Sequence, residues 1–164
     1  MTTLQRRTLL AFGAGAAALA LPGCASLSPP KARVVVIGGG FGGATAAKYI
    51  RLWAPEIEVV LVEREAAFVS CPLSNLVLAG HERIENLTTN YDTLQKKHGV
   101  RVVRDEAVAI DAGRKEVRLA RGDTLSYDRL IVSPGVDFQY DQVPGLQSAD
   151  AQARILHAWK AGPQ

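Results

Sequence analysis

Apolar positions fall into runs of unequal length along this chain. The first, between Thr8 and Leu27, is rich in Gly, Ala and Leu. The second, Val34 to Ile37, is β-branched, too short for a helix and too apolar for a loop, which predicts a buried parallel strand. It leads straight into Gly38-Gly39-Gly40-Phe41-Gly42-Gly43. An alanine-rich helix is predicted from about Gly42 to Trp53, with Gly43, Ala47 and Ile50 on the face toward the sheet and Pro55 just past its end. A second strand, Glu58 to Val62, terminates in Glu63.

Beyond Ala66 the pattern changes. The stretch AAFVSCPLSN holds Cys71, and Ser74 and Asn75 are placed to cap a short helix reaching Ala79. A helix is predicted over roughly Thr88 to His98, with Gly99 as its C-cap. Strand signals then follow closely: Val100 to Arg104, AVAIDA and KEVRLA, with DAGRK and ARGD as turns. Their alternation predicts a small antiparallel meander. Leu130 to Val132 predicts another short buried strand, broken by Ser133-Pro134-Gly135, where a glycine lets the chain turn close to a ligand. A final helix is expected from about Ala149 to Ala161.

Composition fits this reading. The 164 residues are 48% apolar and 21% charged, as in an ordinary soluble domain with a real core. The first thirty residues are of another kind, with Arg6 and Arg7 ahead of an uncharged stretch and then small residues and prolines. They read as an export signal, and QRRTLL resembles the twin-arginine type. A membrane anchor is the rival reading; the run is long enough to span a bilayer, but Gly and Ala supply little transfer energy, so stable insertion is not expected. Cleavage is expected after Ala25, in a soluble periplasmic product. LPGC, ending at Cys24, loosely resembles a lipoprotein processing site, although Pro22 weakens the match. Without residues 1–30 the net charge falls from +3 to +1, so the basic balance implies no nucleic-acid partner. Residues 31–164 are read as a partial cofactor-binding domain.

The chemistry starts at Gly38-x-Gly40-x-x-Gly43. The first glycine allows the tight turn, the second lets the backbone approach a pyrophosphate, and the third lets the helix pack closely on the strand. The phosphates would lie at the positive end of the helix. Glu63, twenty residues after Gly43, is placed to accept hydrogen bonds from adenosine ribose hydroxyls and argues against a 2′-phosphate. Arg64 beside it reads equally as a surface residue. FAD is inferred over NAD, because a protein exported folded can carry a tightly held flavin out, whereas soluble NADH would be unavailable there. A single mature cysteine cannot form an intramolecular disulfide, so Cys71 is either a buried small hydrophobe, a redox thiol or chemically committed elsewhere. His81, His98 and His157 show no metal-ligand spacing. Trp53 and Trp159 read as packing residues, and Arg114-Lys115 as a solvated turn.

These residues together resemble the flavoprotein disulfide-reductase-like superfamily, in which a glycine-rich βαβ unit is followed by a meander and a YDxLIxAxG-type segment, here Tyr127 to Gly135. Within it, GGATAAKYI at Gly42 to Ile50, CPLSN at Cys71 to Asn75, SPG at Ser133 to Gly135 and HAWKAG at His157 to Gly162 resemble the flavoprotein subunit of flavocytochrome c sulfide dehydrogenase. The resemblance implies an α/β fold, a Rossmann-like FAD-binding domain with a small antiparallel β-meander, incomplete relative to the family. It implies a thioether from Cys71 to the 8α-methyl group of FAD, a backbone contact from Ala107 to adenine, and flavin contacts near Pro134 and Gly135. It also implies sulfide oxidation at a redox-active disulfide, with electrons passing through FAD to a c-type cytochrome partner. No catalytic residue is assigned in this chain, because that cysteine pair is expected beyond Gln164. Two other readings stay open: a sulfide:quinone oxidoreductase or nicotinamide-dependent disulfide reductase, or a truncated, non-catalytic dinucleotide-binding fragment.

Overall fold

The computed structural model describes residues 29–155. The export-signal reading with Cys24, and the C-terminal part of the last helix with His157 and Trp159, fall on residues outside these. The elements are β1 (Ala32–Ile37), α1 (Phe41–Trp53), β2 (Ile57–Val62), β3 (Ala67–Val69), α2 (Ser74–Leu78), β4 (Thr88–Asn90), α3 (Asp92–His98), β5 (Arg101–Val103), β6 (Ala107–Asp111), β7 (Glu116–Leu119), β8 (Thr124–Ser126), β9 (Arg129–Val132) and α4 (Ala149–Arg154). The expected α/β fold is present: a parallel sheet ordered β5-β2-β1-β9, and a separate antiparallel meander β6-β7-β8.

The continuous apolar runs of β1 and β2 have a simple cause, since both faces of the sheet are covered. Successive side chains point to opposite faces. Val34, Val36, Val59 and Leu61 pack with Ala47 of α1 and Tyr91, Leu94 and Val100 around α3. Val35, Val60 and Val62 pack on the other side with Val117, Leu119 and Leu125 of the meander. Helices, parallel sheet and meander thus form three layers around two cores.

Polar ties fix the end of the sheet away from the glycine loop. The Arg33 N–H donates to Asp128 Oδ2 at 2.7 Å and the Asp128 N–H to the Arg33 carbonyl at 2.9 Å, while Arg33 Nε donates to Glu58 Oε2 at 2.7 Å. The aspartate of the Tyr127-Asp128 segment therefore sets the start of β9 against β1. Arg51 secures the far end of α1, donating to the carbonyls of His98, Pro55 and Ile57.

Several sequence expectations are corrected. Val100 to Arg104 was grouped with the meander, but β5 pairs parallel with β2, Val60 opposite Arg101, because α3 returns the chain to the sheet in the same direction. Thr88 to Asn90 is extended and pairs antiparallel with β3, Phe68 opposite Thr89, and the helix begins only at Asp92. The β-branched Thr88 and Thr89 suit a strand, and Asn90 Oδ1 accepts from the Asp92 N–H to start the turn. Ser74 is inside α2 rather than capping it; the capping position is Leu73, in left-handed conformation with φ 72°. Trp53 is 79% exposed and meets the Tyr49 ring at a tilt, with 4.9 Å between ring centroids, because its position on α1 faces away from the sheet. Gly99 caps α3 as expected, with φ 65°.

Leu61, wholly buried in β2, should lose about 2–5 kcal/mol of folding stability on substitution Leu61→Ala. Trp53→Ala should cost under about 1 kcal/mol. Urea unfolding of the full-length protein separates the two.

Candidate functional site

The C-terminal ends of β1, β2 and β9 meet the N-terminus of α1, the place where open parallel sheets bind ligands. Backbone bonds hold these ends in register: the Gly38 N–H donates to the Val62 carbonyl at 2.9 Å and the Ser133 N–H to the Ile37 carbonyl at 2.8 Å. The glycines differ in what requires them. A Cβ on Gly43 would lie 1.8 Å from the Gly38 carbonyl oxygen, and one on Gly38, at φ +93°, 2.0 Å from the Ser133 carbonyl oxygen. Those two are demanded by the packing of backbone on backbone. Gly40 is not: its Cβ would make only an ordinary contact with the Phe68 ring, at 3.4 Å, and its φ of −70° suits any residue.

Gly40 is also the N-cap of α1. It offers no side chain to the first-turn N–H groups, and that turn carries no acidic residue. The first-turn N–H groups of this thirteen-residue helix thus take no side-chain cap from the protein. An open backbone cradle over an uncapped helix end fits the pyrophosphate of a dinucleotide.

Glu63 stands beside this loop. Its Oε2 accepts from the Gly39 N–H at 2.6 Å and its Oε1 from the Glu65 N–H at 2.8 Å, so the acid at the end of β2 is tied to the glycine turn. Arg64 turns away, pairing with Glu65 at 3.6 Å and Glu106 at 3.8 Å. That second pair brings the start of β6, and with it the half-buried Ala107, near the end of β2. Pro134 follows Ser133 against Gly38, and Gly135 at φ +81° turns into open space. Cys71 is half-buried between β3 and α2, its carbonyl accepting from the Ser74 N–H at 3.0 Å. It follows Phe68 by three residues, hence within about 10 Å along the chain of the residue whose ring touches Gly40.

Two neighbours of the loop escaped the sequence reading, Phe68 and Tyr91, while Ser133 belongs to the turn expected to pass close to a ligand. Phe68 meets Phe41 edge to face, with 4.8 Å between ring centroids. Tyr91 fills the space where Gly39 would carry a side chain. One signal was present, since Gly39 is a glycine the fingerprint does not call for, and it marked a group pressed against the loop. Burial, then the charges of Glu63 and Glu65, push the Tyr91 phenol well above the ordinary tyrosine range. Among the described residues there is no cluster of metal-ligating side chains, and no helix is long and apolar enough to cross a membrane.

Comparison with known proteins agrees with this geometry. Residues 32–161 match the family model described as pyridine nucleotide-disulphide oxidoreductase. The chain is 64% identical over 45 residues to the sulfide dehydrogenase [flavocytochrome c] flavoprotein chain of Chlorobaculum thiosulfatiphilum, covering 27% of this chain and 94% of that sequence. It is 33% identical over 120 residues to the probable ferredoxin reductase CtmF of Castellaniella defragrans, covering 71% of this chain and 29% of that one. Among solved structures, the sulfide:quinone oxidoreductase of Aquifex aeolicus superposes with a TM-score of 0.62 at 26% identity, covering 69% of this chain and 25% of that one. The chain thus spans between a quarter and a third of the length of these last two relatives.

Gly43→Ala should lower folding stability by about 3 kcal/mol or more, whereas Gly40→Ala should change it by under about 1 kcal/mol, read by urea unfolding. An unfolded tyrosine titrates near pH ~10. The raised Tyr91 value therefore adds stability that is complete below that pH and is lost as pH rises toward the folded value. Tyr91→Phe should flatten this alkaline decline in unfolding experiments.

Proposed function

The chain belongs to the pyridine nucleotide-disulphide oxidoreductase family, and from that premise we propose that it is the FAD-binding part of an exported flavoprotein that oxidises sulfide and passes electrons to a c-type cytochrome. Gly40 is the observation that carries the cofactor assignment, because packing leaves room for a side chain there and a glycine leaves the backbone open for a pyrophosphate to approach. The high identity to a sulfide dehydrogenase flavoprotein chain supports the choice of donor and acceptor.

In this reading the first-turn N–H groups of α1 and the backbone at Gly38 and Gly40 hold the pyrophosphate, with Gly43 letting the helix come close enough. Glu63 accepts from the adenosine ribose, Arg64 ties the end of β2 to Glu65 and Glu106 beside it, and the Ala107 backbone meets the adenine. Pro134 and Gly135 carry the chain past the flavin. FAD, when bound, supplies two-electron acceptance from sulfide and one-electron release to the cytochrome. Cys71 tethers it by a thioether. Such a link would replace the thiol S–H and one methyl C–H with a C–S bond, releasing two protons to solvent and two electrons that would leave one at a time to the cytochrome. Such a bond prevents cofactor loss in the periplasm, the destination that the N-terminal Arg6-Arg7 segment suggests.

A second reading is a sulfide:quinone oxidoreductase, favoured by the likeness to the Aquifex aeolicus structure. Sulfide-dependent reduction of cytochrome c against that of a soluble quinone discriminates the two.

Acid denaturation of the full-length yellow protein should leave flavin absorbance with the polypeptide, and Cys71→Ala should release it. Release of all colour from the unsubstituted protein would remove the linkage. In the Cys71→Ala background, where no covalent link holds the cofactor, Gly40→Ala should keep the fold and lose most of its flavin, read as the ratio of flavin to protein absorbance.

A further inference from the structure

Tyr91 lies just before α3, its ring packed into the helix-side core with Val34, Val36, Leu61 and Leu94 so that only 6% of the residue is exposed. The phenol end is what reaches the glycine loop: a Cβ on Gly39 would lie 2.5 Å from Tyr91 Oη and 2.7 Å from Cζ. Within the described residues no protein group is hydrogen-bonded to this hydroxyl. A buried hydroxyl left in that state carries a desolvation cost that a ligand's polar atom would offset.

The surroundings say which ligand atom. Gly39, which the phenol touches, is the same residue whose N–H holds Glu63 Oε2 at 2.6 Å, so phenol and carboxylate flank one peptide. Burial and the two nearby carboxylates keep the phenol protonated, hence able to donate, at neutral pH and well above it. A sugar hydroxyl both donates and accepts, whereas a carboxylate only accepts. A neutral O–H next to Glu63 supplies the missing half without cancelling its charge.

We propose that Tyr91 is a direct contact of the adenosine ribose, donating its O–H to a ribose oxygen while Glu63 accepts from the sugar diol. The proposal rests on the FAD-binding reading above and extends it to a specificity: a 2′-phosphate would meet Glu63 and Glu65, with Arg64 turned to Glu65 and Glu106.

The test uses full-length Cys71→Ala protein stripped of flavin, titrated calorimetrically with ADP, 2′-deoxy-ADP and 3′-deoxy-ADP, with Tyr91 intact and as Tyr91→Phe. The phenylalanine keeps the ring in the core. It should weaken ADP about fivefold, the share of one ordinary hydrogen bond, while one of the deoxy nucleotides binds both forms alike. With Tyr91 intact, the tyrosine Raman doublet that reports phenol hydrogen bonding should shift on adding ADP and not on adding that analogue, a readout that does not depend on the variant folding. Unchanged ADP affinity in a folded Tyr91→Phe protein, equal weakening for all three nucleotides, or no Raman shift with any of them overturns the proposal. Failure of the Tyr91-intact protein to bind ADP at all overturns the dinucleotide reading beneath it, and the proposal with it.

Discussion

The closest approach of α1 to β1, where one methyl group on Gly43 would press to 1.8 Å from the Gly38 carbonyl, governs the whole upper end of the sheet. It brings the helix N-terminus over the strand ends and forces the turn between them to be tight. That turn in turn leaves its outer surface to Ser133, Phe68 and Tyr91, each from a different part of the chain. At the opposite end Arg51 holds α1 to three backbone carbonyls. The helix is therefore fixed by sterics at one end and by hydrogen bonds at the other, which gives its first-turn N–H groups a defined direction.

What the sequence revealed and what it hid divide along one line. The β1-α1-β2 unit was legible because everything that specifies it lies within about thirty residues: two apolar runs buried on both faces, a glycine pattern, an acid at a strand end. Where the outcome depended on a distant partner, local pattern was insufficient. Val100 to Arg104 alternates like a meander strand, and only the vacancy beside Val60 makes it a parallel one. Thr88 to Asn90 is extended because β3 is there to pair with it. Tyr91 stands in a polar stretch that gives no hint of its contact with Gly39, fifty-two residues earlier. Glu63 and the three fingerprint glycines were found; the aromatic wall around them was not.

Several large apolar side chains are exposed on the segments around the upper end of the sheet. Phe41, Leu73, Leu78, Val132 and Val136 are all more than half exposed, the last at 71%. Among the described residues β9 pairs on one side only. An unpaired strand edge with apolar neighbours is a ready surface for further polypeptide. This accords with a chain that spans only part of the length of most of its relatives.

The two cores meet across β1 and β2, one residue facing helices and the next facing the meander. That alternation acts as a parity rule. Adding one residue inside β2 would exchange the two faces and carry Glu63 to the wrong side of the glycine turn, whereas adding one at the turn through Ala54 and Pro55 would keep that alternation and disturb local ties there, such as the Arg51 bond to the Pro55 carbonyl. A change of length is therefore tolerated better at the turn than inside the strand, where it is locked to steps of two.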